Sequence, residues 1–225
     1  MIREMIPTKD GSLTIFIPGM NVTYHSVYGA IQESQHVFIG GGLQAVKGLQ
    51  RSESLSIFEM GFGTGLNALL TLIESEKLQQ KIHYTAIELY PLSEGEAATL
   101  NYCELLNRPD LKWLFDKLHN CEWEKEINIT PLFTLDKIRR SFLDYTTGSF
   151  QHVIYFDAFA PVSQPELWTR EVFEKIYQTV FPGGVLVTYC SKGDVRRALI
   201  SAGFKVEKIP GPYGKREMIR ATKEG

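Results

Sequence analysis

Three glycines at alternate positions, Gly61, Gly63 and Gly65, stand between two apolar segments. Residues 56–60 are apolar enough for a buried strand, and the run that begins at Leu66 has the composition of a helix. In such a strand–turn–helix unit the backbone can approach a ligand closely, because glycine has no Cβ atom and the helix N-terminus presents free N–H groups. The pattern therefore predicts a ligand-binding turn. The alternative is a glycine-rich connection between packed elements.

The spacing of the glycines separates the ligand classes that use such a turn. The dinucleotide fingerprint G-x-G-x-x-G/A requires a small residue where this chain has Leu66, so that fingerprint is not met. The pattern present, G-x-G-x-G, resembles the first motif of S-adenosylmethionine-dependent methyltransferases, whose loop lies under the methionine part and the ribose. This resemblance predicts the following cofactor-binding residues: Glu59, Gly61, Gly63, Thr64, Gly65 and Asn67.

A carboxylate lies near the end of the second β-rich run, residues 81–89. This residue, Glu88, follows Gly65 by 23 residues, so a βαβ unit places it at the end of the neighbouring strand. A carboxylate there can accept hydrogen bonds from both ribose hydroxyls of a bound nucleoside. Glu88 is therefore predicted to bind the cofactor, against the alternative of a solvent-exposed glutamate at a strand end.

A second carboxylate, Asp157, ends the apolar run 152–157 and is followed by Ala-Phe-Ala-Pro. Ligands of open parallel sheets collect at the carboxyl ends of the strands, so Asp157 is predicted to face the glycine loop and to contact the cofactor. An acid followed by an aromatic residue and proline resembles the D/N-P-P-Y/F box of amino-group methyltransferases, which holds the acceptor amine. The alternative is an aspartate that caps a turn.

The composition excludes several classes of protein. The chain has 225 residues, 44% of them hydrophobic and 22% charged, which are ordinary globular values with room for one large core. No apolar run reaches the roughly 18 residues of a membrane span. The three cysteines are widely spaced and form no Cys/His cluster, so we expect no metal, reduced thiols and a cytoplasmic location.

Charge is distributed unevenly along the chain. The net charge of −2 does not indicate a nucleic-acid binder. However, residues 192–225 contain nine Lys or Arg against four Asp or Glu, whereas residues 88–145 contain seven against eleven. The asymmetry permits a phosphate-binding face near the C-terminal end, and a solvated mixed surface explains it equally well.

The remaining pattern predicts an alternation of strands and helices. Residues 12–26 alternate strand-forming residues around Pro18-Gly19 and predict a β-hairpin, and residues 24–38 are predicted to fold over the site. The other predicted strands cover 127–133, 185–190, 203–209 and 215–221, the last two forming a closing hairpin; the other predicted helices cover 91–107, 136–142, 164–180 and 191–202.

Several motifs together resemble one family, the methyltransferase domain of MnmC, which takes part in tRNA 5-methylaminomethyl-2-thiouridine biosynthesis. The likeness covers nearly the whole chain. It is carried by E-M-G-F-G-T-G-L-N (59–67), F-D-A-F-A-P (156–161) with P-E-L-W-T (165–169), V-R-R-A-L-I-S-A-G-F (195–204), K-R-E-M (215–218), and Y-H-S (24–26) with Gly29, Glu33 and Val37-Phe38.

The resemblance implies a fold and a reaction. The fold is a Rossmann-like α/β class I methyltransferase with a mostly parallel seven-stranded sheet, an antiparallel last strand and an N-terminal β-hairpin extension. We expect an extension over 1–50 and a methyltransferase domain over 51–225. The implied reaction methylates the amine of 5-aminomethyl-2-thiouridine at the tRNA wobble position, with S-adenosylmethionine as donor. We expect a stand-alone form without the flavin oxidase domain of MnmC, and a separate enzyme as one source of the aminomethyl substrate.

The residue roles follow from this reaction. Asp157 is expected to hold the acceptor amine, and Phe159 and Tyr189 are expected to flank the uracil ring, because bases in RNA loops commonly stack on aromatic side chains. The family commonly has glycine where Ala158 stands, and residues 129–135 offer no carboxylate for the adenine, which leaves backbone groups or Asp136. The expected substrate and RNA contacts are Tyr24, Arg196, Arg197, Lys215 and Arg216.

Three other functions remain open from the sequence. A small-molecule N-methyltransferase or an aminopropyltransferase shares the fold and a related donor. A nicotinamide-dependent oxidoreductase is disfavoured by the missing fingerprint. A non-catalytic protein of this fold is disfavoured because the glycine motif, Glu88 and Asp157 are all intact.

Overall fold

Two β-sheets organise the chain in the computed structural model, which describes residues 2–49, 54–146 and 148–225. The eleven strands of these residues are β1 (Glu4–Pro7), β2 (Leu13–Ile17), β3 (Val22–Thr23), β4 (Leu55–Met60), β5 (Ile82–Ile87), β6 (Glu126–Thr130), β7 (Phe133–Ile138), β8 (Gln151–Phe156), β9 (Val180–Thr188), β10 (Lys205–Pro210) and β11 (Glu217–Thr222).

Seven α-helices in the same part of the chain connect or cover these strands: α1 (Ala30–Ser34), α2 (Leu66–Leu78), α3 (Glu94–Ala98), α4 (Tyr102–Leu105), α5 (Lys112–Asn120), α6 (Arg170–Gln178) and α7 (Gly193–Ser201). A π-helical turn (Gln35–Gly40) and a 3-10 helix (Leu43–Leu49) follow α1. None of the described helices is long and apolar enough to cross a lipid bilayer.

The main sheet has the order β10-β11-β9-β8-β4-β5-β7-β6. The five central strands, from β9 to β7, are parallel to one another, and β11 is antiparallel to both β9 and β10. The mostly parallel sheet and the closing antiparallel hairpin are therefore confirmed. The sheet has eight strands rather than the predicted seven, because β6 adds an antiparallel strand at its edge.

The extra strand arises where the sequence interpretation was wrong. The predicted strand 127–133 is two strands, β6 and β7, joined by the turn at Pro131, and the predicted helix 136–142 does not form. Asp136 lies inside β7, opposite Thr85 of β5. The reason is that residues 133–137 alternate buried and half-buried side chains, the period of a strand rather than of a helix.

Two of the predicted helices are interrupted and one strand is longer than expected. The helix predicted over 91–107 is divided into α3 and α4, because the Asn101 side chain accepts from the Leu13 N–H and donates to the Gly11 carbonyl. The helix predicted over 164–180 is shortened to α6, with Thr169 as its N-cap, and β9 already begins at Val180.

The N-terminal segment forms its own three-stranded antiparallel sheet, in the order β1-β2-β3. The predicted hairpin around Pro18-Gly19 is confirmed as β2 and β3. The hairpin is attached to the main body by Asn101 and by the Tyr102 hydroxyl, which donates to the Leu13 carbonyl at 2.8 Å. The predicted boundary between residues 50 and 51 lies outside the described residues.

Side chains on both faces of the main sheet are buried. Successive residues of a strand point to opposite faces, so Tyr155 packs with Phe38 and Tyr84 on one face, whereas Phe156 packs with Trp168 and Phe173 on the other. Burial on both faces is typical of parallel sheets covered by helices on both sides. The rigid strands β8, β4 and β5 thereby fix the positions of the loops that follow them.

Candidate active site

The loops after three adjacent strands converge at the carboxyl edge of the sheet. The Gly61 N–H after β4 donates to the Ile87 carbonyl of β5 at 2.9 Å, and the Asp157 N–H after β8 donates to the Met60 carbonyl of β4 at 3.2 Å. Since the strands are parallel and adjacent, the glycine loop lies between Glu88 and Asp157. This is the arrangement that the sequence predicted.

All three loop glycines have backbone conformations that other residues rarely adopt. Their φ angles are +90° at Gly61, +50° at Gly63 and +69° at Gly65. A Cβ atom at Gly63 would lie 3.2 Å from the Tyr24 ring, and one at Gly65 would lie 2.8 Å from Nε2 of His119. The loop is therefore shaped both by its left-handed backbone and by close packing on side chains from distant segments.

Glu88 lines the cleft with both carboxylate oxygens engaged by the backbone. One oxygen accepts from the Gly63 N–H at 3.1 Å, and the other accepts from the Tyr90 N–H at 2.8 Å. The side chain is half-buried. Because each carboxylate oxygen can accept more than one hydrogen bond, Glu88 retains acceptor capacity toward the cleft.

The Asn67 side chain joins two carboxylates. Its Nδ2 donates to Glu59 at 2.8 Å and to Asp157 at 3.0 Å. Glu59 is 1% exposed, and this burial raises its pKa well above the ordinary value; the Asn67 hydrogen bond opposes the rise, and the nearby Asp157 charge adds to it. Asn67 therefore holds Asp157 in position from the start of α2.

Asp157 has an unusual acidity. Burial raises its pKa to about 7, and the negative charge of Glu33 acts in the same direction, whereas the Asn67 hydrogen bond and the Lys215 ammonium lower it. A carboxyl group with a pKa near 7 is present in both its protonated and its ionised form at physiological pH, whereas an ordinary aspartate is almost fully ionised. Such a group can accept a proton or a hydrogen bond from an amine.

Two compartments meet at Asp157. The first is an open cleft with about 970 Å³ of space, part of it open to solvent, and is lined by the glycine loop, Glu88 and residues 140–143. The second is an open cleft with about 1330 Å³ of space, part of it also open to solvent, and is lined by Glu33, Tyr189 and Lys215 among others. The side chains that line both compartments are Tyr24, His25, Asp157, Ala158 and Phe159.

The residues of the first compartment suit a cationic nucleoside. Two side chains that line it, Thr64 and Asn67, each leave a buried oxygen without a hydrogen-bond partner, and Glu88 and Asp157 add carboxylates. Glu59, which accepts from Asn67, also has an unpartnered buried oxygen but does not line the compartment. Unpartnered buried acceptors favour a ligand that donates hydrogen bonds and carries positive charge. S-adenosylmethionine, with its ammonium, sulfonium and ribose hydroxyls, meets that requirement.

Aromatic and charged side chains build the second compartment. The Tyr24 and Phe159 rings meet edge to face at 5.2 Å, and the Tyr189 hydroxyl donates to the Ala158 carbonyl at 2.8 Å. The Lys215 ammonium lies 4.0 Å from the centre of the Tyr189 ring and 2.7 Å from a carboxylate oxygen of the buried Glu33. The compartment therefore combines stacking surfaces with two carboxylates and one cation.

The residues predicted to contact phosphate fall into two groups in the structure. Lys215 lies inside the second compartment with Glu33. Arg196, Arg197 and Arg216 are exposed and line neither compartment, and Arg197 pairs with Asp194 on its own helix. Both α7 and β11 begin at the carboxyl edge of the sheet, because α7 follows β9 and β11 is antiparallel to β9.

Some site residues were not found by sequence reasoning. Residues 140–143 follow the end of β7 and line the first compartment, whereas Asp136 does not line it. Because a helix was predicted over 136–142, residues 140–143 were not recognised as following a strand. The strand period of residues 133–137 could have indicated this. Glu33 belonged to the motifs that carry the family resemblance, but the sequence predicted no role for it. Its role depends on Lys215, which is 182 residues away in the sequence.

Comparison with known proteins agrees with this geometry. The profile of a family described as S-adenosyl-L-methionine-dependent methyltransferase matches residues 120–224. The bifunctional tRNA 5-methylaminomethyl-2-thiouridine biosynthesis protein MnmC of Cupriavidus metallidurans is 31% identical over 97% of this chain and 33% of its own length, and that of Aromatoleum aromaticum is 33% identical over 88% and 32%. The chain spans about a third of the length of these curated relatives.

Solved structures show the same fold. MnmC2 from Aquifex aeolicus superposes with a TM-score of 0.81 over 100% of this chain and 71% of that chain, at 24% identity. Spermidine synthase from Thermotoga maritima superposes with a TM-score of 0.55 over 100% of this chain and 72% of that chain, at 10% identity.

The fold and the site define a class I methyltransferase that uses S-adenosylmethionine. Within that class, most of the chain is similar to about a third of the length of the MnmC proteins.

Proposed function

We propose that this protein methylates the amine of 5-aminomethyl-2-thiouridine at the wobble position of tRNA, giving 5-methylaminomethyl-2-thiouridine. The observation that carries the proposal is the position of Asp157 in the wall shared by two compartments, one suited to the methyl donor and one to an amine on an aromatic ring. The curated MnmC relatives are named for the biosynthesis of this modified nucleoside.

The first compartment is the proposed donor site. When bound, S-adenosylmethionine supplies a methyl group already activated by its sulfonium. Glu88 would accept the ribose hydroxyls, and the glycine loop would lie under the methionine and ribose parts. Asn67, which donates to the buried Glu59, would face the cationic end. Residues 140–143 would lie near the adenine, since they follow the next strand, β7.

Asp157 has the central role in the proposed chemistry. An alkylammonium has no free lone pair, so the amine has to lose a proton before it can react. Asp157, with a pKa of about 7, can take part in that proton loss, orient the amine and stabilise the positive charge that develops on the nitrogen. Alignment of the amine with the methyl group is the main contribution that a protein can make to such a displacement.

Aromatic side chains would hold the base. Phe159 and Tyr189 line the second compartment, and Tyr24 packs edge to face on Phe159. We propose that the uracil ring lies against Phe159 and Tyr189, while Arg196, Arg197 and Arg216 contact tRNA phosphates outside the compartment. Lys215 would face the substrate from inside it.

The proposed substrate also implies cellular context. The reaction starts from a primary amine on the modified uridine, so another catalytic centre has to expose that amine first. We propose that a separate enzyme does so. A tRNA-modifying role places the protein in the cytoplasm.

A second candidate is transfer to a small cationic amine. Two carboxylates, Glu33 and Asp157, lie in the second compartment and would attract a polyamine. The shared fold with spermidine synthase is compatible with this reaction but does not favour it over tRNA methylation.

The decisive experiment uses methyl-labelled S-adenosylmethionine and tRNA that carries 5-aminomethyl-2-thiouridine. Digested nucleosides are identified by mass spectrometry, and Asp157→Asn protein is the control. Label in 5-methylaminomethyl-2-thiouridine is the expected result. Transfer to spermidine or putrescine in place of tRNA would establish the second candidate and overturn the first.

A further inference from the structure

Two exposed tyrosines lie at the mouth of the second compartment. Tyr28 is 39% exposed and Tyr213 is 68% exposed, and their rings meet edge to face with centroids 5.6 Å apart. Each is two residues from a lining residue of the compartment, Ser26 in one case and Lys215 in the other. Neither tyrosine is itself part of the compartment wall.

The loop that carries Tyr213 is held in one conformation. The Gly211 N–H donates to the Arg216 carbonyl at 3.1 Å, and the Lys215 N–H donates to the Pro212 carbonyl at 2.9 Å. Gly214 has φ +87°, and a Cβ atom there would lie 2.5 Å from the Tyr28 ring. The two tyrosines are thus packed through the loop backbone, so little side-chain freedom is lost when a ligand stacks on them.

The charges around the pair suit a polyanion. The Lys9 ammonium lies 4.4 Å from the centre of the Tyr28 ring, and Arg216 is exposed on the Tyr213 loop. Across the compartment, the apolar side chains of Met20 and Val162 are 37% and 79% exposed. An aromatic surface flanked by cations is the usual binding site for an unpaired base and its phosphate.

We propose that Tyr28 and Tyr213 form a stacking surface for the nucleotide next to the one whose amine enters the compartment. The inference rests on the proposed function, in which the modified base is unpaired and displaced from its neighbours. The Tyr28–Tyr213 surface binds one flanking base, and Lys9 and Arg216 lie where its phosphates pass. Recognition therefore extends beyond the modified nucleoside to at least one neighbour.

The test measures binding and methylation separately. The probe is an anticodon stem-loop RNA with 5-aminomethyl-2-thiouridine at the wobble position and 2-aminopurine at a flanking position. We expect the wild-type protein to bind the RNA and quench the 2-aminopurine fluorescence. Tyr213→Ala should lose the quenching and bind the stem-loop about 5- to 100-fold more weakly, the range for loss of one stacked base. Tyr213→Phe should retain both.

Two controls show whether the loss of RNA binding arises at the Tyr28–Tyr213 surface. Trp113→Ala removes an exposed aromatic that lines neither compartment and should change nothing. The KM for the free nucleoside 5-aminomethyl-2-thiouridine should be the same in wild type and Tyr213→Ala, since that substrate has no neighbour to stack.

The possible outcomes separate the stacking surface from the reaction. Wild-type binding and quenching without methylation would refute the proposed function but support the stacking surface. Equal RNA affinity in wild type and Tyr213→Ala would overturn the stacking surface, and so would absence of RNA binding by the wild type. A change of oligomeric state in Tyr213→Ala, with unaltered RNA affinity, would assign the surface to a second copy of the chain.

Discussion

Asp157 shows how the surroundings of one residue decide its chemistry. Its position after a strand was predicted from the sequence, but its acidity depends on Glu33, Asn67 and Lys215, which belong to three other segments. The same side chain in water would be fully ionised at neutral pH and a poor base. Burial of an ordinary aspartate therefore gives the protein a carboxyl group that titrates near pH 7.

The first prediction concerns this carboxylate. Asp157→Asn keeps an oxygen that can accept from Asn67 but cannot take a proton. Methylation should therefore fall about 10²- to 10⁴-fold, the usual contribution of acid–base catalysis. Affinity for S-adenosylmethionine, measured by calorimetry, should change less than about threefold. Parallel loss of binding and activity would show that Asp157 is structural.

The second prediction is a pH profile. If the ionised Asp157 is the active form, kcat/KM should rise with pH through an apparent pKa near 7. Glu33→Gln removes a negative charge and should move that apparent pKa to lower pH, whereas Lys215→Met removes a positive charge and should move it to higher pH. His25 also lines the compartment, but burial lowers its pKa to about 4, outside this window.

The two variants test each other, because their shifts have opposite signs. Glu59 and Tyr189 also face Asp157, and burial raises the pKa of both. A tyrosine pKa raised above its ordinary value of about 10 lies outside this window. Shifts in the same direction, or identical profiles for all three proteins, would assign the titration to another group. At each pH the rates are measured over the same series of tRNA concentrations.

At the scale of elements, the unit β4–glycine loop–α2–β5 combines local and distant constraints. The loop conformation depends on its own glycines, but His119 of α5 and Tyr24 of the N-terminal segment pack against it. Glu88 at the end of β5 in turn accepts from the Gly63 N–H. Substitutions in any of these elements should therefore affect the first compartment before they affect the second.

The third prediction tests the end of β5. Glu88→Ala should weaken S-adenosylmethionine binding about 10- to 100-fold, the effect of losing hydrogen bonds to a charged group. Glu88→Gln should be intermediate, and Glu94→Gln, an exposed glutamate of α3, should behave as wild type. Normal affinity in Glu88→Ala would refute the ribose assignment.

The fourth prediction tests the glycine loop. Gly65→Ala forces a residue with a Cβ atom into a left-handed conformation and against His119, so the free energy of unfolding should fall by about 1–3 kcal/mol. The matched control is Gly95→Ala within α3, where a Cβ atom meets nothing within 4 Å and alanine is the better helix former. Thermal unfolding should be lower for the first variant and equal or higher for the second. The reverse order would contradict the packing described.

At the scale of the whole molecule, function is concentrated at one edge of the sheet. The ends of β4, β5 and β8, the start of α7 and the loop before β11 all lie there. Much of the C-terminal positive charge is neutralised by neighbours, as in Lys205–Glu224, Lys208–Glu217 and Arg220–Glu207. The charge count alone therefore overstated the basic surface, and Arg196 and Arg216 are two of its exposed members at the site edge.

The fifth prediction concerns these two arginines. The double variant Arg196→Gln/Arg216→Gln should raise the KM for tRNA and reduce its salt dependence by about one logarithmic unit of slope per lost phosphate contact. The kcat and the affinity for S-adenosylmethionine should not change. Lys77→Gln is the matched control, since Lys77 lies near the far end of α2, at the opposite edge of the sheet. An unchanged salt slope would remove these arginines from the tRNA surface.

The sequence by itself determined the parts of the site that depend on near neighbours. The strand, the alternate glycines and the helix after them form one local unit, and Glu88 follows at the spacing of a βαβ unit, so their positions were predictable. Asp157 was predictable because a short apolar run ends there. The β2–β3 and β10–β11 hairpins were predictable for the same reason, since turn residues act within a few positions.

Only the tertiary structure decided what those residues meet. The order β8-β4-β5-β7 brings Asp157 to Asn67 across 90 residues, and folding brings Lys215 to Glu33 across 182. The strand period of β7 was present in the sequence, but its parallel pairing with β5 and its antiparallel pairing with β6 were not. Pairing, burial and charge are properties of side chains that are distant in sequence, and no local pattern contains them. The raised pKa of Asp157 and the set of residues that line the second compartment are therefore properties of the folded chain alone.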